Sequence, residues 1–523
     1  MSHNNNNGAA RTPDVIIIGS GVGGATSAYR LAQLGLDVLV LERGDFLPRE
    51  ADNWSAEAVY VQRKYVGRDT WLDGRGQPFN PSIFYNVGGA SKFFGCTLIR
   101  FRERDFEEVR HHDGVSPAWP IRYRDLEPYY AQAERLYHVH GSAGIDPSEA
   151  PRSAPFPHPG VASDPPMERL LGAIRRQGHH PFPQPAAIHL PPEGHCVRCD
   201  TCDGYPCRID AKADAEISAM LPALATGRVT LRTNTRAERL LLSADGKSVS
   251  GVEVEHEGER EILSAPIVIL AASAINSAAL LLKSACEQAP QGVANSSGVV
   301  GRHYMAHNNT ALMALSFGRN ETRFQKTVAL NDFYFGDAEF PYPMGCIHSL
   351  GKLKAGMMTA ANAWVPDAVN AFFAARSYDW WVMSEDLPDP DNRVTVENGM
   401  IRLSVTRNNL RAHQELVRRM TRIMRKAGLP LVLTKLMPVA TTSHQCGTVR
   451  FGDDPRQAAL DPYCRAYDQR NLFVVDASFF PSSAAVNPAL TIAAQALRVA
   501  EHIAQTEFGR NLGQASQPLL FPA

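Results

Sequence analysis

The 523-residue sequence predicts an α/β protein in which a Rossmann-like dinucleotide-binding domain carries a second, α+β domain built on an antiparallel sheet. Three observations predict it. Near the start, "DVIIIGSGVGGATSAYRLAQLGLDVLVLERG" reads as strand, glycine turn, amphipathic helix and second strand. The length exceeds what one hydrophobic core usually supports. Across residues 306 to 435, short strand-like runs such as "RVTVENGMIRLSV" alternate with the helix-like "AHQELVRRMTRIMRKAG", without an internal repeat.

The first element is a βαβ unit. Gly19 permits the tight turn, Gly21 lets the backbone approach a pyrophosphate, and Gly24 lets helix and strand pack closely. The helix N-terminus supplies amide donors and a positive dipole end. Glu42 ends the second strand, where an acid accepts from a ribose hydroxyl, with Arg43 beside it. FAD and NAD both fit such a unit; the acid argues against NADP, whose 2'-phosphate it would repel.

Composition narrows the partner. The chain is 44% hydrophobic and 20% charged, and 53 basic residues against 54 acidic ones give a net charge of -1. That balance leaves no electrostatic footprint for nucleic acid or an anionic membrane, so a small molecule is expected. No apolar run reaches the roughly 18 residues of a spanning helix. "MSHNNNNGAARTPD" has neither a basic start before an apolar stretch nor twin arginines, so residues 1 to 12 read as a disordered leader and the chain as cytoplasmic. Nine cysteines in such a chain point to thiols or ligands rather than a disulfide framework.

Three further stretches, taken with the first, resemble the glucose-methanol-choline (GMC) family of flavin oxidoreductases. "NVGGASKFFGCTLIRF", residues 86 to 101, is similar to the family's glycine-rich loop along the flavin. "AASAINSAALLLKS" followed by "NSSGVVGRHYMAHN", residues 271 to 308, resembles its second signature. "SHQCGTVRFG" and then "NLFVVDASFFPSSAAVNPALTIAAQALRVAEHI" resemble its carboxyl-terminal block.

The resemblance implies FAD, and a p-hydroxybenzoate-hydroxylase-like FAD domain assembled from residues 13–110, 190–305 and 436–523. Residues 111–189, a Pro-rich excursion, and 306–435 are left for a substrate domain whose sheet roofs the flavin. It places Gly88, Gly89, Ser91, Asp476, Ala477, Asn487, Pro488 and Thr491 beside the cofactor, and His444 and Asn487 at the family's catalytic positions. Hydride leaving an alcohol carbon strands a hydroxyl proton, and a neutral imidazole suits its removal at neutral pH. The Asn487 amide would hold the same oxygen without competing for that proton. Pyranose-oxidase-like members attach flavin to a histidine where this chain has Phe93, so non-covalent FAD is expected.

The His-Asn pairing resembles pyranose and glycoside oxidases. It implies oxidation of a secondary alcohol of a sugar or glycoside to a ketone, with electrons passing to O2 or another acceptor. The same pairing occurs in cholesterol oxidases, which keeps a steroid or other apolar alcohol as an alternative. "HCVRCDTCDGYPCRIDAK" supplies a third reading: Cys196, Cys199, Cys202 and Cys207 form a run close to an iron-sulfur or zinc pattern, but with four residues before the last cysteine. A cluster there would make the chain a dehydrogenase subunit passing electrons to a partner; unmetallated thiols or a local disulfide are preferred, and self-association is left open. Trp380 and Trp381 are candidates for stacking on a sugar, with Glu385 and Asp386 accepting from hydroxyls; the plainer reading makes one tryptophan core and the acids solvated.

Overall fold

The computed structural model describes residues 12–361, 364–439 and 443–512. The leader expected at residues 1 to 12 thus lies, apart from Thr12, outside the described residues. In chain order the elements used below are β1 (Val15–Ile18), α1 (Val22–Gln33), β2 (Val38–Leu41), α2 (Tyr123–Leu136), α3 (Pro165–Arg175), β3 (Phe182–Pro183), β4 (Val229–Arg232), β5 (Thr235–Leu242), β6 (Val249–His256), β7 (Glu259–Leu263), β8 (Ile267–Leu270) and α4 (Ala274–Lys283). There follow β9 (Asn308–Leu315), β10 (Val328–Leu330), β11 (Cys346–Ser349), β12 (Ser377–Ser384), α5 (Leu410–Lys426), β13 (Leu431–Leu436), β14 (Leu472–Val474) and α6 (Ala489–Thr506).

A parallel sheet of order β4-β2-β1-β8-β14 forms the first layer. Apart from the edge strand β4, Val-Thr-Leu-Arg, its strands are continuous apolar runs, and all four residues of β1 are buried, because helices or a meander must cover both faces of a parallel sheet. Val15 pairs with Val38 on one side and Ile267 on the other, so β1 is central and its carboxyl end points the glycine turn at the sheet's crevice. Helices α1 and α2 both pack on α6, joining the amino- and carboxyl-terminal segments of the chain in one layer. The antiparallel meander β5-β6-β7 sits beside it.

The second layer is a fully antiparallel six-stranded sheet, β13-β9-β12-β11-β10-β3. Side chains alternate across it. One face, with Leu312, Ala314, Ile347, Trp380 and Val382, packs on Met167, Leu170 and Ile174 of α3 and on Leu416, Met420 and Met424 of α5. The apolar positions of α5 recur at helical spacing; Arg411, Arg418, Arg422 and Arg425 are exposed, while Arg419 is buried against Asp337 and Glu415. The opposite face carries His348 and Trp381, adjacent across the β11–β12 ladder. One strand-like run expected in this domain goes elsewhere: "RVTVENGMIRLSV" is a hairpin, Arg393–Glu397 with Met400–Ser404, that joins Trp71–Asp73 in a separate four-stranded sheet. Its alternation specified a strand pair, while its partner strand lies more than 300 residues earlier and was not legible locally.

Candidate active site

The three glycines of the first turn do different things. A Cβ on Gly19 (φ +103°) would stand 2.3 Å from the Ala271 carbonyl oxygen, and one on Gly24 would stand 1.9 Å from that of Gly19. Both are therefore required by packing of the turn on its own strands. Gly21 has nothing within 4 Å of that position, so the turn is open there to a ligand. The second glycine loop closes on the first: the Gly88 amide donates to Ser20 Oγ at 3.2 Å, and the Cβ direction of Gly89 points at the Gly21 Cα 3.3 Å away. Ser91 Oγ donates to the Gly88 carbonyl at 2.6 Å and accepts from the Ala215 amide at 3.0 Å, which fixes that loop.

Glu42 is buried, and desolvation raises its pKa against the amide and hydroxyl bonds that favour the carboxylate. It accepts from the Ser20 amide (3.1 Å) and hydroxyl (2.6 Å) and from the Gly44 amide (2.9 Å). Arg43 is committed to Asp69 in a two-pronged ion pair and lies over the Tyr85 ring. Asp476 caps the short turn Ala477–Phe479 through the Ser478 amide and also accepts from Ser277 Oγ. Thr491 Oγ1 is bonded to Tyr130 OH, so its side chain faces α2, while its backbone belongs to the first turn of α6, which follows Pro488. Asn86 Oδ1, Ser478 Oγ and Asn487 Oδ1 are buried without a hydrogen-bond partner among the described residues. Buried polar atoms are normally paired. These orphans and the open Cβ space at Gly21 fit a dinucleotide cofactor lying between the two glycine loops and the carboxyl-terminal segment.

His444 and Asn487 meet, with Asn487 Nδ2 at 3.1 Å from His444 Nε2. The backbone places them by two devices. Cys446 and Met305 exchange amide–carbonyl bonds, and Gly447 (φ +89°) tucks so close beneath His303 that a Cβ would stand 2.4 Å from its carbonyl oxygen. His444 itself is held in the left-handed region at φ +58°, an uncommon conformation for a side-chain-bearing residue and one that clusters at functional sites.

A second histidine completes the pair. His307 Nδ1 lies 3.1 Å from His444 Nδ1, and His307 Nε2 lies 3.1 Å from the Ser483 carbonyl. A carbonyl only accepts, so Nε2 of His307 carries hydrogen; its Nδ1 in the neutral ring is then an acceptor, and His444 Nδ1 must donate to it. The lone pair of His444 is left on Nε2, facing the Asn487 amide. Asp386 anchors the relay by accepting from the Ala306 and His307 amides (2.8 and 2.9 Å) and from Ser483 Oγ (3.0 Å). Desolvation first, and then His307, His348 and Lys326, hold the His444 pKa well below the usual imidazole range, so the ring is neutral. Lys326 is paired with Asp203 at 2.7 Å. His307 lies in the segment quoted for its resemblance, but its role follows only from meeting a second imidazole 137 residues away.

The acids of the roof differ from the expectation. Glu385 is buried between Ser116 Oγ and His111, and the half-buried Asp386 is taken up by the Ala306 and His307 amides and Ser483 Oγ, so neither is a freely solvated acid. Both lie beyond the end of β12, where the chain turns inward. Trp380 is in the helix-covered core, whereas Trp381 occupies the other face and donates to Asn309. Phe93 stacks on Phe84 with centroids 3.7 Å apart.

Cys196, Cys199, Cys202 and Cys207 line one small cavity with Lys212. Among the described residues no group of three or more His, Cys, Asp or Glu side chains converges on a metal position. Instead Cys202 Sγ lies 3.4 Å from Sγ of Cys96, at the end of the second glycine loop.

A chain whose glycine turn leaves room for a dinucleotide, and whose neutral imidazole turns its lone pair to an amide, falls in the class of cofactor-dependent alcohol oxidoreductases. Comparison with known proteins makes the class specific. Residues 8–309 match the amino-terminal, and residues 388–496 the carboxyl-terminal, profile of GMC oxidoreductase. The chain belongs to that family and is an FAD-dependent oxidoreductase acting on CH–OH groups. It is 32% identical to the 6'''-hydroxyparomomycin C oxidase of Streptomyces lividus, over 95% of this chain and 92% of the relative. It is also 32% identical to the paromamine 6'-oxidase of Streptomyces fradiae, over 94% and 92%. Among solved structures it resembles pyridoxine 4-oxidase from Mesorbium loti (TM-score 0.64, 19% identity, 94% of this chain and 99% of that one). A variant formate oxidase from Aspergillus oryzae is similar (TM-score 0.67, 16% identity, 96% and 100%). No helix among the described residues is long and apolar enough to cross a membrane.

Proposed function

We propose that this protein oxidises a hydroxyl-bearing carbon of an amino sugar, with His444 as the base and Asn487 as the group that holds the reacting oxygen. The observation that carries the chemistry is the relay Ser483–His307–His444–Asn487, which leaves one lone pair at His444 Nε2 beside one amide donor. The substrate class is supported by likeness over almost the whole chain to two enzymes named as oxidases of paromomycin-type compounds.

Non-covalently bound FAD supplies the hydride acceptor. The Gly21 backbone and the amino end of α1 would hold its diphosphate, Glu42 with Ser20 a ribose, and the backbone of Gly88, Gly89, Ser91, Ala477, Asn487, Pro488 and Thr491 the remainder, with Asp476 bracing that segment. Phe93 has no nucleophilic atom, and its ring packs on Phe84. Arg43, bound to Asp69, would act at most by its charge near the ribose.

An alcohol oxygen entering between His444 Nε2 and Asn487 Nδ2 accepts from the amide and donates to the imidazole. These two atoms are now mutual partners at 3.1 Å, so the substrate replaces that contact rather than an empty site. The proton ends on Nε2. The resulting imidazolium keeps its Nδ1–H on His307, whose backbone amide is held by Asp386. Trp381, next to His348 on the roof, offers an apolar face to a sugar ring.

The test is the visible spectrum of the FAD-loaded protein under anaerobic conditions, before and after adding aminoglycosides, neutral pyranoses and steroids. Bleaching of the flavin by an aminoglycoside is expected. Bleaching by none of them, or by steroids alone, would reject the substrate assignment. Reoxidation on admitting air then separates an oxidase from a dehydrogenase.

A further inference from the structure

The sequence presents Cys196, Cys199, Cys202 and Cys207 as one unit, and the fold sets all four around one cavity. Cys202 has its nearest thiol outside the run, in Cys96, 106 residues earlier and 3.4 Å away. A disulfide needs about 2.0 Å, so the two sulfurs must close by about 1.4 Å, which rotation of one side chain can supply. Cys96 is fully buried, with its backbone in the left-handed region at φ +60°, and Cys202 is partly exposed at the cavity lined by the other three thiols. One sulfur of the pair is thus reachable from outside and the other is kept behind it.

The loops carrying them are already clamped together. Buried Lys212 points Nζ at four carbonyls, Lys92 (3.2 Å) and Phe94 (2.9 Å) from the flavin-side loop and Cys202 (2.8 Å) and Tyr205 (2.7 Å) from the cysteine loop. The Gly204 amide donates to the Phe93 carbonyl, and Asp203 binds Lys326 and the Gly351 amide beneath the roof. No regular element spans residues 196 to 207, so these contacts fix that segment.

We propose that Cys96 and Cys202 are a redox-active dithiol, oxidised by a peroxide to a disulfide that locks the cysteine loop onto the glycine loop beside the cofactor. Cys202 sulfur attacks one peroxide oxygen, the O–O bond breaks, and a sulfenic acid and water result. Cys96 sulfur then attacks the Cys202 sulfur, the S–O bond breaks and a second water leaves. Two thiols lose two hydrogens and two electrons in all, and hydrogen peroxide is reduced to two waters.

The test treats the FAD-loaded enzyme with graded hydrogen peroxide, blocks free thiols with N-ethylmaleimide, and maps non-reduced peptides by mass spectrometry. The expected product is a Cys96–Cys202 peptide pair, lighter by the two lost hydrogens, at least about tenfold more abundant than any crosslink within residues 196 to 207 and abolished by dithiothreitol. Cys96→Ser should leave Cys202 as a sulfenic acid trapped by dimedone. Should that variant not fold, Cys199→Ser serves instead: it must keep the crosslink, and losing it would overturn the pairing. Crosslinks confined to the four-cysteine run, or Cys96 remaining alkylatable after Cys202 is oxidised, would also overturn it.

Discussion

Replacing His307 tests the tautomer relay. Its Nδ1 is the acceptor that keeps hydrogen on His444 Nδ1 and the lone pair on Nε2. In His307→Leu that donor loses its partner, so His444 is free to adopt the tautomer with hydrogen on Nε2, which cannot accept the substrate proton. Leaving a buried donor unsatisfied costs about 1–3 kcal/mol. At 1.36 kcal/mol per decade, holding the productive tautomer against that cost slows the step about 5- to 150-fold. His307→Asn places an amide oxygen near the former Nδ1 and keeps the acceptor, while giving up the bond to the Ser483 carbonyl; it should lose less than about tenfold. The assay is anaerobic stopped-flow reduction of the bound flavin by a saturating aminoglycoside, with FAD content checked by absorbance. A leucine variant that reduces flavin at the wild-type rate would refute the relay, as would an asparagine variant as slow as leucine with FAD fully bound.

Other predictions follow from the same geometry. His444→Ala should leave FAD bound while slowing flavin reduction by on the order of 100-fold or more, and an unimpaired variant would remove it as the base. Because burial and its neighbours depress the His444 pKa, the ring stays neutral well below pH 6.5, so the acid limb of kcat/KM should fall below that value; a limb at or above 6.5 in a pH profile contradicts the assignment. Burial likewise depresses His348 to about 3 and His413 to about 4. Between those values and about 6.5 the unfolded chain binds protons that the folded one does not, so stability is complete above pH 6.5 and falls as pH drops through that window. His348→Leu should reduce the loss of unfolding free energy with acid by on the order of a few kcal/mol, read by calorimetry. Gly21→Ala should leave apoprotein stability within about 0.5 kcal/mol while weakening FAD retention, whereas Gly24→Ala should cost about 1–3 kcal/mol or more in denaturant titration.

By itself the sequence determined the first βαβ unit. Its order of apolar run, glycines and acid is local, and the backbone demands at Gly19 and Gly24 act over a few residues or against the adjoining strand. Resemblance to the family's carboxyl-terminal stretches also marked His444 and Asn487, and the structure brings them within 3.1 Å. Helix α5 was legible because one amphipathic stripe repeats at 3.6 residues.

What only the tertiary structure decided are contacts between residues far apart in the chain. His307 on His444, Asp386 on His307, Cys96 on Cys202 and the hairpin of residues 393–404 on strand 71–73 each join segments whose local patterns carry no pairing information. The carboxylates at 385 and 386 show the difference plainly: composition places acids in water, while the fold buries Glu385 and half-buries Asp386, with hydroxyl, amide and imidazole groups from distant segments offsetting their desolvation. Periodicity specifies which face of an element is apolar. It does not specify which donor meets which acceptor, and in this protein that matching sets the tautomer of His444.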